Sequence, residues 1–385
     1  MENSRKVHRK KLLRLIENQT GHETKITSLD MLFGENEIIL YGAGSGFSTF
    51  STFVLNQYGY KAHTVLDIKF QTCDEYYGVP AFSPHDFPLT DKMKKNALVI
   101  ITIGKKKYHG EVLTLLRSLG FRNIMFASDI IEYHLHFTPK EYREKPRDYF
   151  ESKKELILTC LEKMADVRSQ EILIPFLETF IQKRVVQIPN DPQMHQYFPT
   201  DIELSKGCSR WVNCGSYDGD TIKILMQRYG KIESLVCFEP DLLNFSILRD
   251  YLLSNREIIA ESVMSFPLGV YSDDKQFKLG GSSTNSSIYA DEGNSLIQCV
   301  ALDHTIPDFR PTYINMDIEG AEPEALKGAE KLIRENKPDL AVCVYHSVNH
   351  VWTILHYIDR LDLGYKFYLR NYTGITSETV LYATV

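Results

Sequence analysis

Apolar positions in this chain fall in short runs, and the segments between the runs carry helical spacing. In the first third, runs at 37–41, 62–66, 98–103 and 123–126 read as strands, with helices expected at 48–58 and 109–119. This alternation predicts a parallel sheet with helices on its faces, filling residues 29–138. Residues 139–195 change character: 140–147 is highly charged, and 152–166 and 170–182 have helical periodicity. They read as a helical connector, and one that also offers a homodimer surface. The pattern then returns to strands and helices from 196 to 385. Strands are expected at 211–213, 235–238, 262–270, 276–279, 297–302, 313–316 and 340–345, with a closing antiparallel pair at 365–370 and 380–384. Residues 280–295, rich in Gly, Ser and Asn, read as loop. The fold class is α/β, with two Rossmann-like, doubly wound domains joined by helices.

Composition narrows the partners. The chain has 385 residues, 44 Lys and Arg against 50 Asp and Glu, and a formal charge of -6. That balance gives no pull toward nucleic acid. The basic cluster between Arg5 and Arg14 is interleaved with Leu12, Leu13, Leu15 and Ile16, so residues 1–28 read as an amphipathic helical arm. No run of apolar residues is long enough to span a membrane, and no secretory leader is visible, so a cytoplasmic protein is expected. The seven cysteines are scattered, several inside apolar runs, and read as buried thiols in a reducing compartment.

The most informative segment is Trp211-Val-Asn-Cys-Gly-Ser-Tyr-Asp-Gly-Asp220, followed by Glu239-Pro240. A strand running into a glycine turn, beside a second strand ending in a carboxylate, describes a ligand crevice. Gly215 and Gly219 allow close backbone approach, and Glu239 can accept both hydroxyls of a ribose. Asp218 and Asp220 stand where a phosphate would be repelled. A cofactor with a positive centre and no phosphate fits, and S-adenosylmethionine answers that description.

Asn213, Glu239, Asp317 and His346 each follow an apolar run, so all four are expected at the carboxyl edge of one sheet. Methyl transfer to a hydroxyl requires aligned reactants and a destination for the hydroxyl proton. His346 reads as base or orienter; Asp317 and Glu319 read as proton acceptors, orienting groups or ligands of a divalent ion such as magnesium or manganese. Each has a plainer reading: Asp317 as a helix cap, Glu322 and Glu324 as carboxylates at a helix N-terminus, His346 as a loop anchor. Arg370 and Tyr372, at the end of a late strand, either contact a sugar or phosphate or close the sheet.

An earlier turn, Gly42-Ala-Gly44-Ser-Gly46, resembles a dinucleotide fingerprint with Phe47 out of pattern, and Asp67 follows at a distance that suits a ribose. It reads either as a nucleotide site or as a tight strand-to-helix turn. Lys105, Lys106, Lys107 and His109 follow the third strand, either near a phosphate or solvated.

Residues 209–385 resemble the FkbM-type family of S-adenosylmethionine-dependent methyltransferases. The resemblance rests on Val212 to Asp220, Phe238-Glu239-Pro240, Ala301 to Asp303, and Asn315-Met-Asp317-Ile-Glu319-Gly-Ala-Glu322, in that order and spacing. It implies a seven-stranded methyltransferase-type sheet and O-methylation of hydroxyls, including those of sugars. It implies that Asn213, Gly215, Ser216, Asp218, Gly219, Asp220 and Glu239 hold the cofactor, and that Asp317 and Glu319 face the transfer site. Asn213 stands where the family has aspartate, and Asn315 where it has lysine. The expected activity is bacterial glycan O-methylation on a sugar or nucleotide-sugar acceptor. The alternatives are a nicotinamide-linked oxidoreductase using the first glycine turn, and a non-catalytic binding protein that kept the fold.

Overall fold

The computed structural model describes residues 2–17, 36–51, 60–70, 74–103, 108–127, 146–182, 186–279, 295–374 and 376–385, with positions 33, 55, 141 and 142. Lys105 to Lys107, the 280–294 loop and much of the expected 48–58 helix lie outside the described residues.

The first sheet contains β1 (Ile38–Tyr41), β2 (Thr64–Leu66), β3 (Asp74–Tyr76), β4 (Val79–Phe82), β5 (Leu98–Ile101) and β6 (Asn123–Phe126), in the order β3-β4-β2-β1-β5-β6. All pairs are parallel except β3 with β4. Ile38 and Leu40 face one apolar cluster while Ile39 and Tyr41 face another. That is why β1 reads as a continuous apolar run: a parallel sheet is covered on both faces. The β3–β4 hairpin was not expected from the sequence. Its turn is Tyr77-Gly78, both at positive φ (51° and 75°), the twist-matched geometry of a two-residue hairpin. A tyrosine in the first left-handed position hides that signal.

The second sheet contains β7 (Arg210–Cys214), β8 (Ile232–Phe238), β9 (Ala260–Phe266), β13 (Tyr313–Met316), β14 (Asp339–Cys343), β15 (Lys366–Asn371) and β16 (Thr379–Thr384), in the order β15-β16-β14-β13-β7-β8-β9. β16 runs antiparallel to both its neighbours, and the other pairs are parallel. The expected 262–270 strand divides at Pro267, which has no N–H for a ladder. β9 stops at Phe266, and β10 (Gly269–Val270) joins β11 (Lys275–Leu279) and β12 (Ser295–Val300) in a separate three-stranded sheet, ordered β10-β12-β11.

The helices Glu2–Glu17, Pro146–Ser152, Lys154–Lys163 and Val167–Gln182 share the apolar core of the second sheet. Leu12 and Ile16 are buried in that core, so the basic N-terminal segment packs by its apolar stripe. The connector helices cover the edge strand β15: Ala165 N–H donates to Phe367 O at 2.8 Å, and Leu369 N–H donates to Ser169 Oγ at 2.8 Å. An uncovered edge would template unwanted strand pairing. Among the described residues six cysteines are free and buried, and no helix is long and apolar enough to cross a membrane.

Candidate active site

The chain builds β7, β8 and β9 toward one side of the second sheet, then returns to build β13 and β14 toward the other. Strand order therefore reverses between β7 and β13, and a crevice opens at their carboxyl ends. Gly215 shapes its floor. It has φ 83°, and a Cβ added there would lie 1.9 Å from the Asp317 carbonyl oxygen, so only glycine lets the β7 turn abut the exit of β13. Gly215 and Ser216 both donate N–H to Phe238 O at 3.0 Å, which ties the turn to β8. Glu239 adds a side-chain tie, with Oε2 accepting from Tyr217 N–H at 2.8 Å and Oε1 from Asp241 N–H at 2.9 Å. Burial pushes its carboxyl up to about 7, against the downward pull of the Asp241 and Tyr217 N–H groups.

A cavity of about 530 Å³ occupies this crevice, within the range of about 300–1,000 Å³ usual for small-molecule sites. Gly215, Tyr217 and the carboxylates of Asp220, Glu239, Asp317, Glu319 and Glu378 line it. Among the described residues no lysine, arginine or histidine does. A phosphate would find no counter-charge here. A sulfonium with an adenosine ribose finds acceptors for both its charge and its hydroxyls, so the residues present fit S-adenosylmethionine.

The wall opposite Glu239 is a knot of ionisable groups. Tyr197 and Tyr345 hydroxyls donate to Asp317 at 2.7 and 3.1 Å. His346 Nε2 lies 3.4 Å from Asp317 Oδ1 and 3.5 Å from Glu319 Oε2. On the other side of the ring, Nδ1 lies 2.8 Å from Glu322 Oε1. Glu322 is fully buried and accepts N–H from Ile318 at 3.0 Å and Gly320 at 3.4 Å. Burial alone would raise the Glu322 carboxyl, but the His346 charge, His350 and the Ile318 N–H bring it down to about 2. Burial alone would lower His346; Glu322, Glu319 and Asp317 together raise it to about 10. His346 therefore carries its proton at neutral pH and orients carboxylates, rather than accepting a proton. His350 goes the other way, down to about 4, by burial and the neighbouring His346 charge against the pull of Glu322. Glu319 holds φ 53°, a left-handed conformation uncommon for a non-glycine residue and concentrated at functional sites.

Of the residues singled out in the sequence, Gly215, Asp220, Glu239, Asp317 and Glu319 line the cavity, and His346 backs its wall. Gly219 and Ser216 belong to the turn, where Gly219 takes φ 86° and Ser216 Oγ donates to Asn213 O at 3.0 Å. Asp218 Oδ1 accepts Asp220 N–H at 3.1 Å at the helix start. Asn213 is fully buried and does not line the cavity. Its Oδ1 accepts from Asn315 Nδ2 at 3.1 Å, and Asn315 Oδ1 accepts from Trp211 Nε1 at 2.6 Å.

Arg370 and Tyr372 do not reach the cavity either. Arg370 is buried against Asp166, Asp201 and Ser169, and the Tyr372 and Tyr382 hydroxyls share a hydrogen bond of 2.6 Å. Asp303 caps a helix, accepting N–H from Lys331 and Leu332 at 2.9 Å each. Tyr197, Tyr345, Gln196, Glu322 and Glu378 complete the site without having been singled out for it.

In the first sheet, strand order reverses between β1 and β5, and Gly42 takes φ 110° in the turn there. Asp67 Oδ2 accepts Ala43 N–H at 2.7 Å and Oδ1 accepts Lys69 N–H at 3.0 Å. A Cβ on Gly46 would lie 1.9 Å from Thr102 O, whereas one on Gly44 meets nothing within 4 Å. His109 Nε2 lies 2.6 Å from Ile103 O.

Comparison with known proteins agrees with this geometry. Residues 213–367 match the methyltransferase FkbM domain. The crystal structure of methyltransferase FkbM from Methylobacillus flagellatus KT is similar over 98% of this chain and 100% of its own, with TM-score 0.70 and 21% identity. An rRNA methylase from Streptococcus thermophilus matches more loosely, at TM-score 0.30 and 12% identity over 47% of this chain and 90% of its own. No curated protein matches. Residues 213–367 are thus an FkbM-type domain, and the protein is an S-adenosylmethionine-dependent methyltransferase.

Proposed function

We propose that the protein methylates a hydroxyl of a sugar or glycan precursor. The observation that carries this reading is the composition of the cavity wall facing Glu239: Asp317, Glu319 and Glu378 beside Gln193 and Gln196, a dense set of acceptors suited to a polyhydroxylated partner. Glu239 and the 215–220 turn hold the adenosine end. S-adenosylmethionine supplies an electrophilic methyl, to which the acceptor oxygen bonds while the C–S electron pair returns to sulfur. Asp317, held by two tyrosine hydroxyls, fixes the acceptor. Glu319, about half exposed, takes the hydroxyl proton and passes it to solvent. His346 keeps both carboxylates aimed. Calorimetry with S-adenosylmethionine and S-adenosylhomocysteine, followed by transfer of labelled methyl into cell-wall and capsule sugar extracts, tests the proposal. Label entering no carbohydrate fraction would refute the acceptor class.

A second reading concerns the first glycine turn. The open space at Gly44 and the strand reversal beside it favour a nucleotide there, either that of a nucleotide-sugar acceptor or a nicotinamide cofactor. Gly44→Val has room to fold, so it isolates binding: nucleotide-sugar titration and NADH fluorescence should each be compared with the parent chain. Identical signals in both proteins would remove this reading.

A further inference from the structure

We propose that the outer edge of β9, with the flank of the Leu242–Ile259 helix beside it, is a dimer interface that takes a second copy of this chain across a two-fold axis. This interface is independent of the methyl-transfer reading and of the first glycine turn.

Four observations carry it. First, β9 ends the second sheet, and among the described residues no strand pairs with its outer side. The far edge, β15, is covered by the connector helices, whereas Glu261, Ser262 and Met264 of β9 stay exposed. The strand Ala260–Phe266 contains no lysine and no proline, the usual devices against edge-to-edge pairing. Second, Phe266 O accepts Glu239 N–H at 3.1 Å. The even-numbered residues of β9 therefore bond toward β8, and the N–H and C=O groups of Glu261, Val263 and Ser265 point outward. A second β9 running antiparallel about Val263 would pair Val263 with its own copy and Glu261 with the partner's Ser265, so no like charges are opposed.

Third, the helix presents a self-complementary flank. Lys223 Nζ lies 5.0 Å from the Tyr251 ring, so the Tyr251 side faces the preceding helix, Asp220–Tyr229. At about 100° per residue, the opposite side carries Leu242, Arg249, Leu253 and Arg256. Leu242 and Leu253 are 70% and 67% exposed, and Arg249 reaches only its exposed neighbour Asp250, at 2.9 Å. Arg249-Asp250 and Arg256-Glu257 stand symmetrically about Leu253. An antiparallel copy of the helix therefore sets Arg249 against the partner's Glu257 and Asp250 against the partner's Arg256. Fourth, strand and helix call for the same axis. The helix ends at Ile259 and β9 begins at Ala260, so the two run back from one bend. Val263 lies ~10 Å along the strand from that bend, and ~10 Å back along the helix is about seven residues, at Leu252 and Leu253. One two-fold thus serves both elements, as a self-complementary patch requires.

Sedimentation velocity of the full chain between about 1 and 100 μM, a span that catches even a weak interface, tests the pairing. A dimer is expected, and hydrogen exchange in the 260–266 segment should slow as the dimer fills. Arg249→Glu should weaken the dimer about 10-fold or more, because it opposes like charges on both sides of the axis. Arg249→Glu combined with Glu257→Arg should restore it. Leu253→Asp should abolish the dimer over the same range, since it buries an unpaired charge. All three positions are exposed, so each variant should keep the parent's circular dichroism spectrum. A chain that stays monomeric throughout would overturn the proposal. So would a dimer that Arg249→Glu and Leu253→Asp leave intact, or one whose 260–266 segment exchanges as fast as in the monomer.

Discussion

Removing the Glu322 carboxylate should cost more stability than almost any other single change around the second sheet. The side chain is fully buried and meets His346 Nδ1, Ile318 N–H and Gly320 N–H. Glu322→Ala leaves an imidazolium facing the protein interior and orphans two backbone donors. Breaking one side of a buried ion pair costs about 3–5 kcal/mol, and a buried unsatisfied donor about 1–3 kcal/mol. Because Asp317 and Glu319 still face the other edge of the ring, about 5 kcal/mol is the expected total, near the upper end of single-mutation effects. Glu322→Gln keeps an acceptor for the two N–H groups and loses only the charge, so about 2–3 kcal/mol is expected from the weakened charged contact. Urea denaturation followed by circular dichroism gives both values. An alanine variant within about 1 kcal/mol of the parent, the scale of an ordinary surface change, would refute the reasoning.

The same knot sets a pH signature. Glu322 sits at about 2 against an ordinary 4.5, so its contribution is complete above 4.5 and is lost as pH falls toward 2. His346 sits at about 10 against 6.5, so its contribution is complete below 6.5 and drains away as pH rises toward 10. His350, at about 4 against 6.5, stabilises the fold above 6.5 and stops doing so as pH falls toward 4. The knot's own contribution to stability should therefore be largest near pH 6.5 and decline on both sides, while Glu239, raised from 4.5 to about 7, adds a contribution that is complete below 4.5 and is lost as pH rises through 7. In Glu322→Gln the alkaline decline should flatten, because His346 loses its main partner.

Other consequences follow from the same contacts. Gly215→Ala should abolish detectable cofactor binding in calorimetry, since its methyl would meet the Asp317 carbonyl at 1.9 Å; retained affinity would show that the β7 turn can shift freely. Cofactor affinity should weaken as pH drops through about 7, where Glu239 takes up a proton and loses an acceptor for ribose, and Glu239→Gln should flatten that dependence. Arg370→Met should lower the melting temperature while cofactor affinity stays unchanged, because its partners are Asp166 and Asp201 and not the cavity; a selective loss of binding would contradict this. Asn213→Asp and Asn315→Lys should each destabilise by more than about 2 kcal/mol as unpaired buried charges, and the double variant should recover most of the loss in a urea-melt cycle.

Legibility from sequence followed the local signals. The segments 212–220, 238–240 and 315–322 each combine a strand, a turn and a carboxylate, and together they deliver Gly215, Asp220, Glu239, Asp317 and Glu319 to one cavity. Glu378 gives no such signal. It reaches the carboxyl edge because β16 runs backward beside β14, with Val380 opposite Cys343, so the start of a strand, not its end, arrives at the site. Tyr197 comes from an irregular segment 120 residues before Asp317, and no periodicity reports such a crossing. Arg370 shows the opposite failure. β15 is parallel to β14 through the doubly reversed β16, so Arg370 does leave at the carboxyl edge. It leaves two strands too far out, on the face covered by the Val167–Gln182 helix. A strand-end rule fixes the edge but not the distance along it.

The two departures from the family pattern belong together for a related reason. Asn213 and Asn315 are partners in the β7–β13 register, project from the same face as Trp211, and hydrogen-bond to one another. The family resemblance puts aspartate and lysine at these positions, which in this register would face each other as an ion pair. A buried ion pair can be replaced by a neutral pair at little cost when both members change, whereas changing one leaves a charge without a partner. The asparagines therefore read as one compensated substitution beneath the cavity floor. Neither bears on proton transfer, since neither side chain lines the cavity. The carboxylates that do line it are intact, and the case for an active enzyme rests on them.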